Sequence, residues 1–196
     1  PTAIVECSTL GDGVRVGAYA RVLLSNLDDG VEVMSGANVE FCTVGRDAIV
    51  SEKSVIRFST LYEQSVASQY LMQQCVLGRN AVTTSGAYSM DLNFDQEIRV
   101  PLDGALHSTG QRFLGSAFGH DCRVGTGFWM ASGRMIPNGY FLIRDPEHVL
   151  SKLPAGLVDG NPLAVQGRQL VALGGPPEVA SSPTEAVELS GNEEDA

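Results

Sequence analysis

The sequence predicts an all-β fold in which one chain winds into stacked coils, a parallel β-helix with short strands on three flat sides. Three observations predict it. The first is a repeat: from Val5 the chain falls into four gapless rows of 17, VECSTLGDGVRVGAYAR, VLLSNLDDGVEVMSGAN, VEFCTVGRDAIVSEKSV and IRFSTLYEQSVASQYLM, ending at Met72. The second is the columns these rows make. The first column reads Val5, Val22, Val39, Ile56; the sixth Leu10, Leu27, Val44, Leu61; the twelfth Val16, Val33, Val50, Ala67. The third is the spacing of the apolar positions, five, six and six. A helix needs spacings of three and four, and a flat strand alternates. Each coil leaves a backbone edge and apolar residues for the next to cover, so the columns become stacks in one core. A β-sandwich does not keep one column pattern over four rows.

The remaining elements follow in order. Columns of small residues, Ser8/Ser25/Cys42/Ser59, Thr9/Asn26/Thr43/Thr60, Val14/Val31/Ala48/Ser65 and Ala20/Ala37/Ser54/Leu71, fill the spaces between the apolar ones. Gly, Asp, Asn and Ser are expected to carry the positive φ of the turns. A shorter row, QQCVLGRNAVTTSGAY, keeps the register through Leu77, Ala81, Thr83 and Ala87. Residues 89–117 show no six-residue repeat. They carry Leu92, Phe94, Ile98, Val100, Leu102, Leu106 and Phe113, which marks an ordered excursion packed on the side of the coils. The register resumes at Phe118, Val124, Met130 and Ile136, six apart, so the helix spans 4–140 in about seven coils. Residues 141–173 form a C-terminal extension. It begins with a strand-like run and a short helix from near Pro146 with Asp145 as its cap. Two strands follow, 161–165 and 169–173, around a turn at Gln166-Gly167. The stretch 174–196 is rich in Pro, Ser, Glu and Gly, has no aromatic, and is expected to be a disordered acidic tail.

Net charge is −10, but six of the 23 acids lie in 174–196, leaving the body 17 acids against 13 bases. No basic stripe is present, so neither nucleic acid nor an anionic membrane surface is an expected partner. No run approaches the roughly 20 apolar residues of a membrane span, and the start lacks the pattern of a signal peptide. Cys7, Cys42, Cys75 and Cys122 form no CxxC pair, and a chain this long needs no disulfides for its core. They read as small buried hydrophobes in a reducing compartment, which implies a cytoplasmic location. The chain begins at Pro1 without Met, and the expectation is a C-terminal piece of something longer.

The units LGDGVR-VGAYAR, VGRDAI and LGRNAV resemble the hexapeptide repeat of left-handed parallel β-helices. That family includes many acyltransferases and the C-terminal domains of sugar nucleotidyltransferases. The left hand and a homotrimer of parallel subunits are implied by the resemblance; the spacing alone does not show them. The run RVGTGFWMASGRMIPNGYFLIRDPEHVL is similar to the final coil of hexapeptide acyltransferases. Pro137-Asn138-Gly139 and Asp145-Pro146-Glu147 take the places of its closing dipeptide and its step into a terminal helix, with Arg144-Asp145 departing from the usual glycine. In that family small residues let coenzyme A lie against the outer wall between subunits. The resemblance thus implies a donor site at Gly125, Gly127, Ala131, Ser132, Gly133 and Arg134, with Arg134 meeting phosphates. Turn chemistry alone accounts for these glycines equally well.

Acyl transfer needs a general base, most often His. His107 lies in the excursion, His120 at a turn of the resumed array with its side chain outward, and His148 in the terminal helix, solvated. Asp121 is not expected to orient His120, because neighbours in an extended chain point opposite ways. A branch of the fold resembles carbonic anhydrases with zinc on three His, two of them about five residues apart. Here the gaps are 13 and 28, so no metal is expected. Asn93, Asp95, Arg99 and Arg112, interleaved with Glu97, Asp103 and Gln111, are candidates for a sugar or nucleotide pocket; a solvated loop face is the more usual role of such residues. The expected function is transfer of an acyl group from a coenzyme A thioester to a small-molecule acceptor, a sugar or nucleotide sugar. His120 or His107 would be the base, and backbone amides would hold the oxyanion. The alternative is a non-catalytic β-helix that assembles or regulates a sugar nucleotidyltransferase.

Overall fold

The computed structural model describes residues 2–145, Glu147, 163–166 and 169–172. The coils have three walls. The first stacks Ile4–Glu6, Arg21–Leu23, Asn38–Glu40, Val55–Arg57 and Met72–Gln73 in one parallel sheet; Tyr88–Ser89 and Trp129–Met130 form a further parallel pair of first-wall strands. The second is a seven-stranded parallel sheet from Thr9–Leu10 to Met135–Ile136, and the third a seven-stranded one from Arg15–Val16 to Phe141–Leu142. Among the described residues seven coils result, and the register follows the rows: Val5, Val22, Val39 and Ile56 are successive partners, as are Leu10, Leu27, Val44 and Leu61. From the second coil onward these columns are buried in one core. In the first coil Val5 and Leu10 stay 41% and 42% exposed, since among the described residues no coil lies beneath them.

One register detail departs from the rows of 17. Ile56 pairs with Met72, 16 residues on, and Leu61 with Leu77. The carbonyl that receives the Val55 N–H is that of Gln69, where Ala37 and Ser54 do this for the preceding coils. The interior place that the row gives to Leu71 therefore belongs to Gln69, which is buried.

The corner between the first and second walls is held by a ladder of small polar side chains. The N–H groups of Ser25, Cys42 and Cys75 donate to the Oγ atoms of Ser8, Ser25 and Ser59 in the coil before, each at 3.1 Å. Each hydroxyl in turn donates to the carbonyl two residues back, Ser8 to Glu6 at 2.8 Å, Ser25 to Leu23 at 2.8 Å and Ser59 to Arg57 at 2.7 Å. The residue outside each rung sits at positive φ: Cys7, Leu24, Phe41, Phe58 and Gln74, between 46° and 55°. This is a departure from the expected Gly, Asp, Asn and Ser. Left-handed backbone costs a side chain about 1–2 kcal/mol, and the ladder bonds together with the stacking of Phe41 on Phe58 at 4.9 Å offset it. Cys7 occupies this outer column and is exposed, whereas Cys42, Cys75 and Cys122 are buried as expected.

The excursion leaves the same corner. After Ser89 the chain runs out, and it re-enters at Ala117. Its stem is antiparallel, with Asn93 N–H on Arg112 O at 2.9 Å and Ile98 N–H on Gln111 O at 2.7 Å, and it carries a hairpin of Arg99–Leu102 against Ala105–Ser108. Beneath it the stack continues: Leu77 pairs directly with Phe118. Arg144–Ala196 is a separate unit. In it Leu163–Gln166 pairs antiparallel with Gln169–Ala172, close to the expected strands. Asp145 accepts the Glu147 N–H at 2.9 Å, as a cap does; the body of the expected helix, His148 and the stretch 174–196 lie outside the described residues. Among the described residues no helix is long and apolar enough to cross a membrane.

Replacing Ser59 by Ala removes the acceptor of the buried Cys75 N–H and is expected to destabilise the fold by about 1–3 kcal/mol in denaturant unfolding. Burial pushes the Cys42 thiol up from 9.0 to about 11 and raises those of Cys75 and Cys122. The neutral thiol is favoured in the fold, so stability is full below pH 9 and falls as pH rises toward 11. An aromatic disulfide reagent at pH 8 is accordingly expected to titrate Cys7 at once and the other three thiols only on unfolding.

Candidate functional site

The site is built on the outer face of the second wall. Its outward column reads Thr9, Asn26, Thr43 and Thr60 over the first four coils, then Val76, Ala117 and Met135 over the last three. The column turns apolar at the coil from which the excursion departs. Two adjoining cavities, of about 230 Å³ and about 210 Å³, share Val76, Ala117 and Met135 as their floor. The first is walled by Val100 and Pro101 of the hairpin, Leu114, Gln74 and Arg134. The second reaches the corner between the second and third walls at Tyr62, His120 and Asn138. Together they form a trough that crosses the wall from one corner to the other.

Two glycines let the excursion close over this floor. Gly115 lies where the chain re-enters; a Cβ there would run into the Gln73 carbonyl and the Cys75 sulfur. Gly133 has φ +69°, and its Cβ would meet Ile98 Cγ2 at 2.6 Å and Val100 Cγ1 at 3.2 Å. Ile98 is buried there. Arg134 Nη1 donates to Arg99 O at 2.7 Å and so straps the hairpin to the last coil.

His120 stands in the corner between the second and third walls, in a column that also contains Asp29 and Asn138. Its Nδ1 accepts the Arg79 backbone N–H at 2.8 Å, and the His120 backbone N–H donates to Asn138 Oδ1 at 2.8 Å. Asp29 Oδ1 does the same for the Asp12 N–H at 2.9 Å. The bond at Nδ1 assigns the neutral tautomer with its proton on Nε2, so toward the trough this ring offers a donor rather than a base. Its edge rests on Tyr62, with centroids 5.8 Å apart. Asp121 turns elsewhere, accepting from Asn80 Nδ2 at 2.9 Å. In the same column Arg79 pairs with Glu63 at 3.3 Å, and Glu63 is held below the usual carboxylate range first by its own backbone N–H and then by Arg79.

His107 is exposed on the hairpin, directly across from Val100, so the two side chains share a face. Among the described residues nothing engages its imidazole, and both ring nitrogens are open to a substrate. His107 is not among the residues that line the two cavities, and the other sequence candidates do not converge either. Gly125 and Gly127 lie at the corner between the third and first walls, whereas Ala131, Ser132, Gly133 and Arg134 lie at the next corner, beyond Trp129–Met130. Of these six only Gly133 and Arg134 line the trough. Asn93 and Arg112 are neighbours on the stem, Asp95 is exposed, and Arg99 meets Arg134 through its carbonyl. The floor residues went unrecognised, although the change from Thr and Asn to Val, Ala and Met along one column was a readable signal. Among the described residues no group of three or more His, Cys, Asp or Glu is placed to hold a metal ion.

The coils, walls and six-residue register decide the architecture. The fold is a β-solenoid of parallel strands wound in three-walled coils of about 17 residues. No family model matches the chain, and no curated protein does. Among solved structures, a histidine-to-alanine mutant of GDP-perosamine N-acetyl transferase from Caulobacter crescentus, in complex with CoA and GDP-perosamine, is similar. Its TM-score is 0.39 at 21% identity over 72% of this chain and 50% of that one. An Arabidopsis UDP-N-acetylglucosamine acyltransferase has a TM-score of 0.35 at 12% identity over 72% of this chain and 55% of that one. The chain spans about half the length of each.

The two kinds of glycine in the last coil are separable. Gly139, φ +73°, faces open space, with no atom within 4 Å of where a Cβ would stand. Gly139→Ala is therefore expected to lose only about 1–2 kcal/mol of backbone preference. Gly133→Ala adds the collision with Ile98 and is expected to raise hydrogen exchange across 98–108 by an order of magnitude or more while the coils stay protected.

Proposed function

We propose that this β-helix is an acyltransferase that takes its acyl group from a coenzyme A thioester and passes it to a small acceptor, a sugar or nucleotide sugar. The observation that carries the reading is the trough: an apolar floor of Val76, Ala117 and Met135, roofed by Val100, with a guanidinium at one rim and an imidazole N–H at the other end. An extended donor arm fits such a channel, and the N–H bonds of Arg134 not used on Arg99 can meet a phosphate. His107, with an open lone pair, takes the proton from the acceptor hydroxyl or amine. The freed oxygen or nitrogen bonds to the thioester carbonyl carbon, and the carbon–sulfur bond breaks. The same proton then returns to the departing sulfur. The Nε2–H of His120 supports the carbonyl oxygen as charge gathers on it. Asn93, Asp95, Arg99 and Arg112, on the stem and hairpin, are assigned to the acceptor, and Gly125, Gly127, Ala131 and Ser132 to the shape of the last corners. We further propose a homotrimer in a reducing cytoplasm, the compartment that three buried free thiols suit.

Calorimetry with acetyl-coenzyme A is expected to give a micromolar dissociation constant, weakened tenfold or more in Arg134→Ala. In a transfer assay His107→Ala is expected to lower kcat by about 10²–10⁴. His120→Asn keeps the corner bond, as Asn138 does one coil on, but removes the oxyanion donor, and is expected to lower kcat by about 10²–10³ with the fold intact. No heat at millimolar donor would overturn the reading and leave the assembly domain of a nucleotidyltransferase in its place.

A further inference from the structure

The second cavity of the trough ends at the corner between the second and third walls, and an aromatic ring stands at that end. Over the last four coils the outward residue at this corner is Tyr62, Gly78, Gly119 and Pro137. The first three donate their N–H to Leu77, Phe118 and Ile136 of the coil that follows, each at 2.8 Å. Tyr62 is the only one of the four with a long side chain. Its ring meets the His120 imidazole edge-on, with centroids 5.8 Å apart and 85° between the planes, and both residues line the cavity. The pair spans the coil between them, where Gly78 offers no side chain. Gly78 is held to glycine by the stacking itself: a Cβ there would stand 2.6 Å from the Gly119 carbonyl carbon and the His120 nitrogen. The two rings therefore close an end that the backbone alone leaves open.

The chemistry of the wall changes at the same place. The floor up to this corner is Val76, Ala117 and Met135. The next column carries Glu63 and Arg79, paired at 3.3 Å and open to water. A methylene chain gains free energy only while it leaves water for apolar surface. Carried past the rings, it would exchange an apolar floor for a solvated ion pair.

We propose that the trough takes a short acyl group, acetyl or propionyl, and that Tyr62 is the specificity-determining residue that sets this limit. The inference rests on the acyl-transfer reading. With phosphates at Arg134, the donor arm reaches the thioester through the first cavity, and the thioester oxygen meets the Nε2–H of His120. The acyl chain then continues away from the arm, and the Tyr62 ring is the wall it meets. An acetyl group ends before that wall, whereas a fatty acyl chain has to displace the ring from the imidazole or leave the apolar floor.

The test is calorimetry of the whole chain with free coenzyme A and with its acetyl, propionyl, hexanoyl and decanoyl thioesters. A surplus methylene in a closed apolar pocket costs about tenfold or more in discrimination, so hexanoyl- and decanoyl-coenzyme A are expected to bind at least about tenfold more weakly than the acetyl and propionyl thioesters. Tyr62→Ala is expected to bring the hexanoyl thioester to within about threefold of the acetyl one, by recovery of that same discrimination. Tyr62→Phe is expected to keep the wild-type order, because the ring rather than the hydroxyl makes the wall. Equal binding of acetyl and hexanoyl thioesters by the wild-type chain would overturn the size limit, and an unchanged preference in a folded Tyr62→Ala would overturn the assignment to Tyr62. The wild-type series decides the size limit even where that variant fails to fold. Free coenzyme A separates the two readings: binding of it with a flat length series sinks the acyl limit and leaves the donor site standing. If neither coenzyme A nor any thioester binds, the donor site falls and the limit falls with it.

Discussion

Everything in this molecule hangs on one constraint: each coil must hand its backbone hydrogen bonds to the next, straight through the corners as well as along the walls. On the walls the parallel strands do this by themselves. At the first corner they cannot, because the chain bends sharply with Leu24, Phe41 and Phe58 in left-handed backbone. The Ser and Cys side chains close the gap: the Ser8, Ser25 and Ser59 hydroxyls and the Cys75 sulfur each receive an N–H from the next coil, and each donates a hydrogen bond to the carbonyl two residues back on its own strand. A single atom thus satisfies two buried backbone groups, which explains why small hydroxyls and thiols fill a column where an apolar residue would bury more surface.

The same constraint limits what chemistry a corner can host. His120 looks from the sequence like a free base at a turn. In the fold it is a rung, doing with Nδ1 what Asp29 does with a carboxylate oxygen. A side chain can serve the ladder or act as an unengaged base, and the excursion is where the fold gains freedom from the ladder. His107 lies there, on a hairpin whose position is fixed by Gly133 and Arg134 instead of by coil register.

This division also explains what could be read from the residues alone. The walls were legible because a 17-residue period writes the same requirement four times, and the resumption at Phe118 because it repeats the six-residue step. The expectation for the thiols held for three and missed Cys7, because the rows place it in the outer column with Leu24, Phe41 and Phe58. The trough was hidden for a different reason. The contacts that roof it, such as Arg134 to Arg99, join residues 35 apart with no periodic signature. The tautomer of His120 depends on Arg79, 41 residues away. The Gln69 corner was blurred by a single missing residue, which slides one column while leaving the next ones in step.

The direct pairing of Leu77 with Phe118 beneath the excursion has a consequence for how the chain folds. Coils grow by zipping each new turn onto the last, and each step closes a loop. For most coils the loop is 17 residues, and at the excursion it is 41. Because closure entropy rises only with the logarithm of length, the longer step costs roughly 0.8 kcal/mol more than its neighbours. The winding can therefore run through the interruption almost unslowed, and the hairpin can settle onto a wall that already exists. An insertion at a corner is in this sense nearly invisible to the growing solenoid, which makes corners the places where such a fold can acquire new surface without renegotiating its core.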